Sequence, residues 1–223
     1  MKPEKRITRH QMKEDKLVST TFKATEYVQK NQMPFIIGII AIAVIFAAVM
    51  FFRWSGDRKR TESSALLSRA EMSGAMGNMD QYSATMQMIA DDYAGTTAAK
   101  IASLRLANDY FTQKQYDDAL KYFSLLLDKY SDDKMVAASA ASGKGACYEM
   151  KGDFAQAGKA YQQAADYKSG DFWTPGYLLK AGQNFAKAGD KKSAEAALSE
   201  IDKKYPTSSE NSLAKRSLAE IRY

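Results

Sequence analysis

Four tyrosines recur along this chain at an almost constant interval, and that interval limits the folds open to it more than any other feature. They close the tripeptides Asp91-Asp92-Tyr93, Asp128-Lys129-Tyr130, Ala165-Asp166-Tyr167 and Lys203-Lys204-Tyr205, and lie 37, 37 and 38 residues apart. Self-similarity at such a period belongs to stacked repeats, in which one unit cannot cover its apolar face alone and hides it against the next.

A second pattern has the same phase. In GACYEMKGDFAQAGKAY, counted from Gly145, aromatic or small residues stand at offset 3 (Tyr148), 7 (Gly152), 9 (Phe154), 12 (Ala157) and 16 (Tyr161). Glycine inside a helix costs about 1 kcal/mol relative to alanine, so Gly152 reads as punctuation between two helices. The first should end near Met150 and the second begin near Asp153, with Gly145 and Ala157 facing each other. The pattern recurs toward the N-terminus at Leu106, Ala107, Tyr110, Lys114, Tyr116, Ala119 and Phe123. It recurs toward the C-terminus at Gly182, Phe185, Gly189, Lys191, Ala194 and Leu198. Lys114 occupies a glycine slot and Lys191 an aromatic one. The first unit, with Ala70, Gly77, Tyr82 and Met86 in phase, is degenerate, as end repeats are. The segment from Ser209 to Tyr223, with Leu218 and Ala219 in phase, reads as a helix that caps the last hairpin.

These positions resemble the tetratricopeptide repeat. That family places a Leu-Gly or Leu-Ala pair and an aromatic on its first helix, then Ala, an aromatic and a closing Pro on its second. Here they are Leu106, Ala107, Tyr110, Ala119 and Phe123, then Gly145, Tyr148, Ala157 and Tyr161, then Ala181, Gly182, Phe185, Ala194, Leu198 and Pro206. The period is longer than the family's, implying longer turns, and the large first-helix aromatic is missing. The resemblance implies an all-α protein: a right-handed α-solenoid of about four hairpins over residues 60–223. The approximate repeats are 62–97, 99–135, 137–172 and 174–208, with a capping helix at 209–223.

Upstream, Met33 to Phe52 reads MPFIIGIIAIAVIFAAVMFF, twenty residues without a charge. As a helix it covers roughly 30 Å, the thickness of a bilayer core. A four-hairpin solenoid has no interior to bury a helix apolar on every side, so residues 33–53 are expected to form a single transmembrane helix. The run exceeds the apolar core of a cleaved signal peptide, about 7 to 15 residues, and its only Ala-x-Ala, Ala41 to Ala43, lies inside it.

The formal charge of +6 invites a nucleic-acid reading, and its distribution argues against one. Residues 1–32 carry 8 Lys and Arg against 4 Asp and Glu, residues 53–62 carry 4 against 2, and the remaining 161 balance at 20 against 20. The excess sits beside the membrane, where cations favour anionic lipid headgroups, and no nucleic-acid partner is expected. The arm is the more basic flank in total, although near the span Lys13, Lys16, Lys23 and Lys30 nearly match Arg53, Arg58, Lys59, Arg60 and Arg69. The arm is expected in the cytoplasm and the repeats on the far side. Within it, Leu17, Val18, Thr21, Phe22, Ala24, Tyr27 and Val28 recur at helical spacing among lysines, as an amphipathic helix on the inner leaflet, a docking helix for a membrane partner or a plain lead-in to the span.

Catalysis finds no support, and neither an enzyme nor a cofactor is expected. The single histidine, His10, cannot build a triad or a His-containing metal cluster. Cys147 stands alone beside the in-phase Tyr148, as a small buried apolar residue would. The pairs Asp91 and Asp92, Asp117 and Asp118, and Asp132 and Asp133 fall near expected helix ends, where Asp caps backbone N–H groups. Met72, Met76, Met79, Met86 and Met88 suit gap-filling core or an adaptable binding face.

Function therefore falls to a surface. Carrying over the family's register makes the first helices the concave side, with Leu104, Asn108, Phe111, Glu149, Met150, Leu179, Gln183 and Lys187 facing a groove suited to an extended or helical peptide. Leu104, Phe111 and Leu179 suit packing between helices equally well. Phe172 and Trp173, in a turn, offer a separate contact or local packing. The whole layout resembles the YfgM-type ancillary subunits of the bacterial Sec translocon. That resemblance implies an inner-membrane anchor and a periplasmic repeat domain that meets Sec subunits, emerging chains and periplasmic chaperones. The alternative is a structural scaffold for another envelope complex, in cell division or secretion-apparatus assembly, that self-associates into a homo-oligomer.

Overall fold

The structure, a computed structural model, describes residues 21–22, 25–27, 29–30, 32–167, 170 and 172–222. The expected amphipathic helix of the arm lies largely outside them. All regular structure among the described residues is helical. The chain divides into two compact units, Met1–Asp57 and Arg58–Tyr223.

The first unit carries most of the apolar part of α1 (Gln32–Ala75). This helix is long and apolar enough to cross a membrane, and its most apolar stretch has nothing buried against it. Ile36, Ile39, Ile42, Ile45, Phe46 and Phe52 are all exposed, so apolar side chains point out in every direction. The helix does not stop at residue 53. Gly56 costs it about 1 kcal/mol, too little to break a run with good helix formers on both sides, and the last part of α1 belongs to the second unit.

That unit is a row of helical hairpins. After α1 come α2 (Met79–Asp92), α3 (Thr97–Thr112), α4 (Tyr116–Tyr130), α5 (Lys134–Met150), α6 (Phe154–Tyr167), α7 (Thr174–Lys187), α8 (Lys191–Lys204) and α9 (Glu210–Arg222). Helices adjacent in sequence pack together from α2 onward, and α9 also lies against α7. The turn inside each hairpin needs one residue in the left-handed region. Gly77, Gly152 and Gly189 supply it at φ 83°, 79° and 80°, and Lys114 does so at φ 63° without glycine's freedom. Helix starts are capped by side chains: Thr96 Oγ1 accepts the Ala99 N–H at 3.1 Å, Asp133 Oδ1 that of Val136 at 3.3 Å, and Asp190 Oδ1 that of Ser193 at 3.0 Å. Each such cap is worth about 1 kcal/mol.

Two of the four recurring tyrosines, Tyr130 and Tyr205, are clasps. Tyr130, the last residue of α4, reaches back so that its hydroxyl accepts the Gly95 N–H at 2.9 Å and donates to the Thr96 carbonyl at 3.2 Å. The Tyr205 hydroxyl accepts the Gly170 N–H at 3.1 Å in the same way. Tyr167 differs, its ring lying 5.2 Å from the Lys134 ammonium. Both clasps span the same 35 residues, from the end of a hairpin to the turn before it, so these two hairpins have the same length.

The core is alanine-rich where helices touch and carries its large side chains in two groups. Met86, Ile89, Leu106, Tyr122, Phe123 and Leu126 fill the first; Tyr161, Leu178, Phe185, Leu198 and Ile201 fill the second. Each of these contributes roughly 1.5–3 kcal/mol by burial. Glycines admit the rings. A Cβ on Gly145 would lie 2.9 Å from the Tyr161 ring, and one on Gly182 2.5 Å from Leu198, so offsets 0 and 16 of the sequence pattern pair within a hairpin. The Tyr161 ring packs directly over Gly145. Between hairpins, Phe123 presses on Gly143 and Phe185 on Gly158 in the same manner.

Candidate interaction groove

The residues expected to line a concave groove fall into three situations. Asn108 and Met150 are exposed on α3 and α5. Leu104 and Phe111 are half-buried against the first core group, and the Phe111 ring lies 5.7 Å from that of Tyr116. Leu179, 8% exposed, belongs to the second core group and offers almost no surface.

Glu149 and Lys187, from successive hairpins, are brought together. Lys187 Nζ donates to Glu149 Oε1 at 3.1 Å, and the Tyr161 hydroxyl donates to Oε2 at 3.2 Å. The Lys187 ammonium also lies 5.2 Å from the Phe154 ring centre. Burial pushes the Glu149 carboxyl upward, but the bonds from Lys187 and Tyr161 outweigh it and hold the group below its ordinary range. Burial, reinforced by that same carboxylate, pushes the Tyr161 phenol well above its usual value. A polar knot therefore ties α5, α6 and α7 at their open side. Gln183 and Lys187 also border a cleft of about 390 Å³ shared with Ser217 and Glu220.

A larger cleft, about 700 Å³, opens between the end of α1, α2 and α3. Leu106 and Tyr110 form its apolar side, and Tyr110 stacks on Tyr122 at 5.8 Å. Its polar side holds Glu71, whose carboxylate pairs with Arg105 at 2.8 Å, and Asp109, which accepts a long 3.5 Å hydrogen bond from the Tyr82 hydroxyl. Burial pushes the Asp109 carboxyl above its ordinary value, against the opposing pull of Tyr82 and Arg105. Sequence reasoning missed these residues. Arg105 and Asp109 stand four apart, a spacing that puts both on one face of α3, but their partners Glu71 and Tyr82 come from other helices.

Phe172 and Trp173 are 84% and 61% exposed and meet edge to face at 5.3 Å. Cys147 is fully buried, and burial pushes its thiol up to about 11, so it is not a nucleophile in the folded protein.

Stacked two-helix units define an α-solenoid, the architecture of protein-interaction scaffolds. A model of the tetratricopeptide repeat-like domain matches residues 25–141 and 98–174, and one of the tetratricopeptide repeat matches residues 177–208. The chain belongs to the tetratricopeptide repeat-like family, which generally serves as a non-enzymatic interaction scaffold, and no catalytic family is indicated. Among solved structures it is similar to BtubC (BKLC) from P. vanneervenii, at 17% identity and a TM-score of 0.49, covering 72% of this chain and 64% of that one. Among curated proteins none matches the sequence significantly.

Proposed function

We propose that this protein is a membrane-tethered docking module of the bacterial envelope. The apolar part of α1 holds it in the inner membrane, with the basic arm in the cytoplasm and the repeats in the periplasm. Its solenoid receives segments of partner proteins, as an accessory factor of the Sec translocon or of periplasmic folding, with channel subunits, emerging chains or a chaperone as partners. The observation that carries this reading is the combination, in one chain, of an uncovered apolar helix of membrane length and a hairpin array with a cleft of about 700 Å³. Exposed Asn108 and Met150, together with Gln183 and Lys187, would line the path of the bound segment, and Phe172 and Trp173 would offer a second contact.

Photo-crosslinking amino acids at positions 108 and 150, in cells, test the partners. Crosslinks to channel subunits, nascent chains or a periplasmic chaperone support the reading, and crosslinks to unrelated proteins alone sink it. Crosslinks solely between copies of this chain would favour the self-associating scaffold instead. A phosphatase fused after Tyr223, active only outside the cytoplasm, tests the orientation: an inactive fusion in a correctly inserted protein reverses it.

A further inference from the structure

The 700 Å³ cleft is built to discriminate by charge. Its polar side contains two carboxylates, Glu71 and Asp109, and one guanidinium, Arg105, which Glu71 already binds at 2.8 Å. The cleft is therefore net negative, and its cation is occupied. Asp109 has no ion-pair partner among the described residues; its bond from Tyr82 is long, at 3.5 Å, against the ordinary 2.7–2.8 Å for a hydroxyl donor. A half-buried carboxylate held that loosely has lost much of its hydration and regained little inside the protein. An incoming carboxylate would meet two like charges. An incoming ammonium or guanidinium would complete Asp109, while Met79 and Tyr110 cover an apolar side chain next to it.

We propose that this cleft between the first and second hairpins is a docking site for a partner segment carrying a basic residue beside an apolar one, with Asp109 as the anchor for the cation. The inference rests on the docking reading above and names the chemistry of the docked segment. Glu71 has a second role in it, since by holding Arg105 it prevents that guanidinium from attracting acidic segments instead.

Binding is measured on the full chain in nanodiscs of neutral phosphatidylcholine, which removes attraction of basic peptides to anionic lipid. The probes are three fluorescent peptides of about twelve residues, alike in Ala, Leu and Ser, with a central Leu-Arg, Leu-citrulline or Leu-Glu pair. The Arg peptide should bind about tenfold more tightly than its uncharged citrulline counterpart, as a charge-assisted hydrogen bond allows, and the Glu peptide more weakly than either. Asp109→Asn should cut the Arg-to-citrulline ratio below about twofold and leave the citrulline peptide unchanged. Glu71→Gln, which frees Arg105, should improve the Glu peptide. Equal binding of the Arg and citrulline peptides overturns the cation anchor while leaving the docking reading intact. Arginine selectivity that survives Asp109→Asn overturns the assignment to this cleft. Failure of all three peptides to bind counts against the docking reading itself and takes this inference with it.

Discussion

Replacing Gly143 by alanine puts a methyl group where the ring of Phe123 already sits. A Cβ there would lie 2.3 Å from Phe123 Cζ and 2.4 Å from Cε1, against roughly 3.5–4.0 Å for carbon atoms in favourable contact. The ring cannot move into solvent, because Phe123 is buried in the first core group. It must leave its rotamer, or α4 and α5 must separate by about 1 Å. Overpacking of this kind costs about 1–3 kcal/mol, whereas exchanging glycine for alanine in a helix returns about 1 kcal/mol. The net effect should be destabilisation of up to about 2 kcal/mol. Gly176→Ala is the matched control: it makes the same exchange in α7, where nothing lies within 4 Å of the added carbon, and should stabilise by up to about 1 kcal/mol. Phe123→Leu in the Gly143→Ala background should recover part of the loss, giving a coupling between the sites in a double-mutant cycle. Denaturant unfolding of the full chain in detergent, followed by circular dichroism, reads the parent, these variants and Phe123→Leu alone. Equal stabilisation by Gly143→Ala and Gly176→Ala would refute the ring-on-glycine account of how the second and third hairpins lock.

Lys114→Gly should raise stability by about 1 kcal/mol in the same assay, since it relieves a non-glycine residue at φ 63°. Tyr130→Phe should remove both clasp bonds and lower stability by about 1 kcal/mol, with faster amide exchange at Gly95 as the local sign. The Cys147 thiol should resist alkylation at pH 8 in the folded protein and react on unfolding, because burial removes it from reagent and holds it protonated. Asp133 and Asp190 are held below the usual carboxylate range, the first by Lys100 and the Val136 N–H, the second by Ser193. Depressed folded values mean stability that is present above the unfolded value, about 3.9, and lost as pH falls below it. Asp133→Asn with Asp190→Asn should therefore flatten the acid limb of an unfolding titration below about pH 4.

The hairpins were legible because their punctuation is chemical. Gly152 and Gly189 mark turns that need positive φ, and Asp133, one of the acidic pairs expected at a helix end, caps α5. The tyrosine interval was legible too, and two of its four members, Tyr130 and Tyr205, make the same clasp in the structure. How closely the Tyr161 ring lies over Gly145 was not, because spacing places the two side by side without fixing the distance between α5 and α6. The continuation of α1 to Ala75 was not legible, because the end of the uncharged run at Phe52 marks where a bilayer core would stop and not where the helix does. The cleft was least legible of all. Glu71 and Arg105 are 34 positions apart in the chain, and their meeting depends on how α1 lies against α3 rather than on any local pattern.

Because Tyr130 is the final residue of its helix, its clasp on Gly95 cannot close until the entire second hairpin exists. Tyr205 stands in the same relation to Gly170. A chain made from its N-terminus would thus seal its second and fourth hairpins only when the tyrosine that ends each has been added. A hairpin cut short, or threaded out of register, would leave the previous turn unlatched and open to proteases. The tyrosine acts as a completion mark, checked by geometry alone.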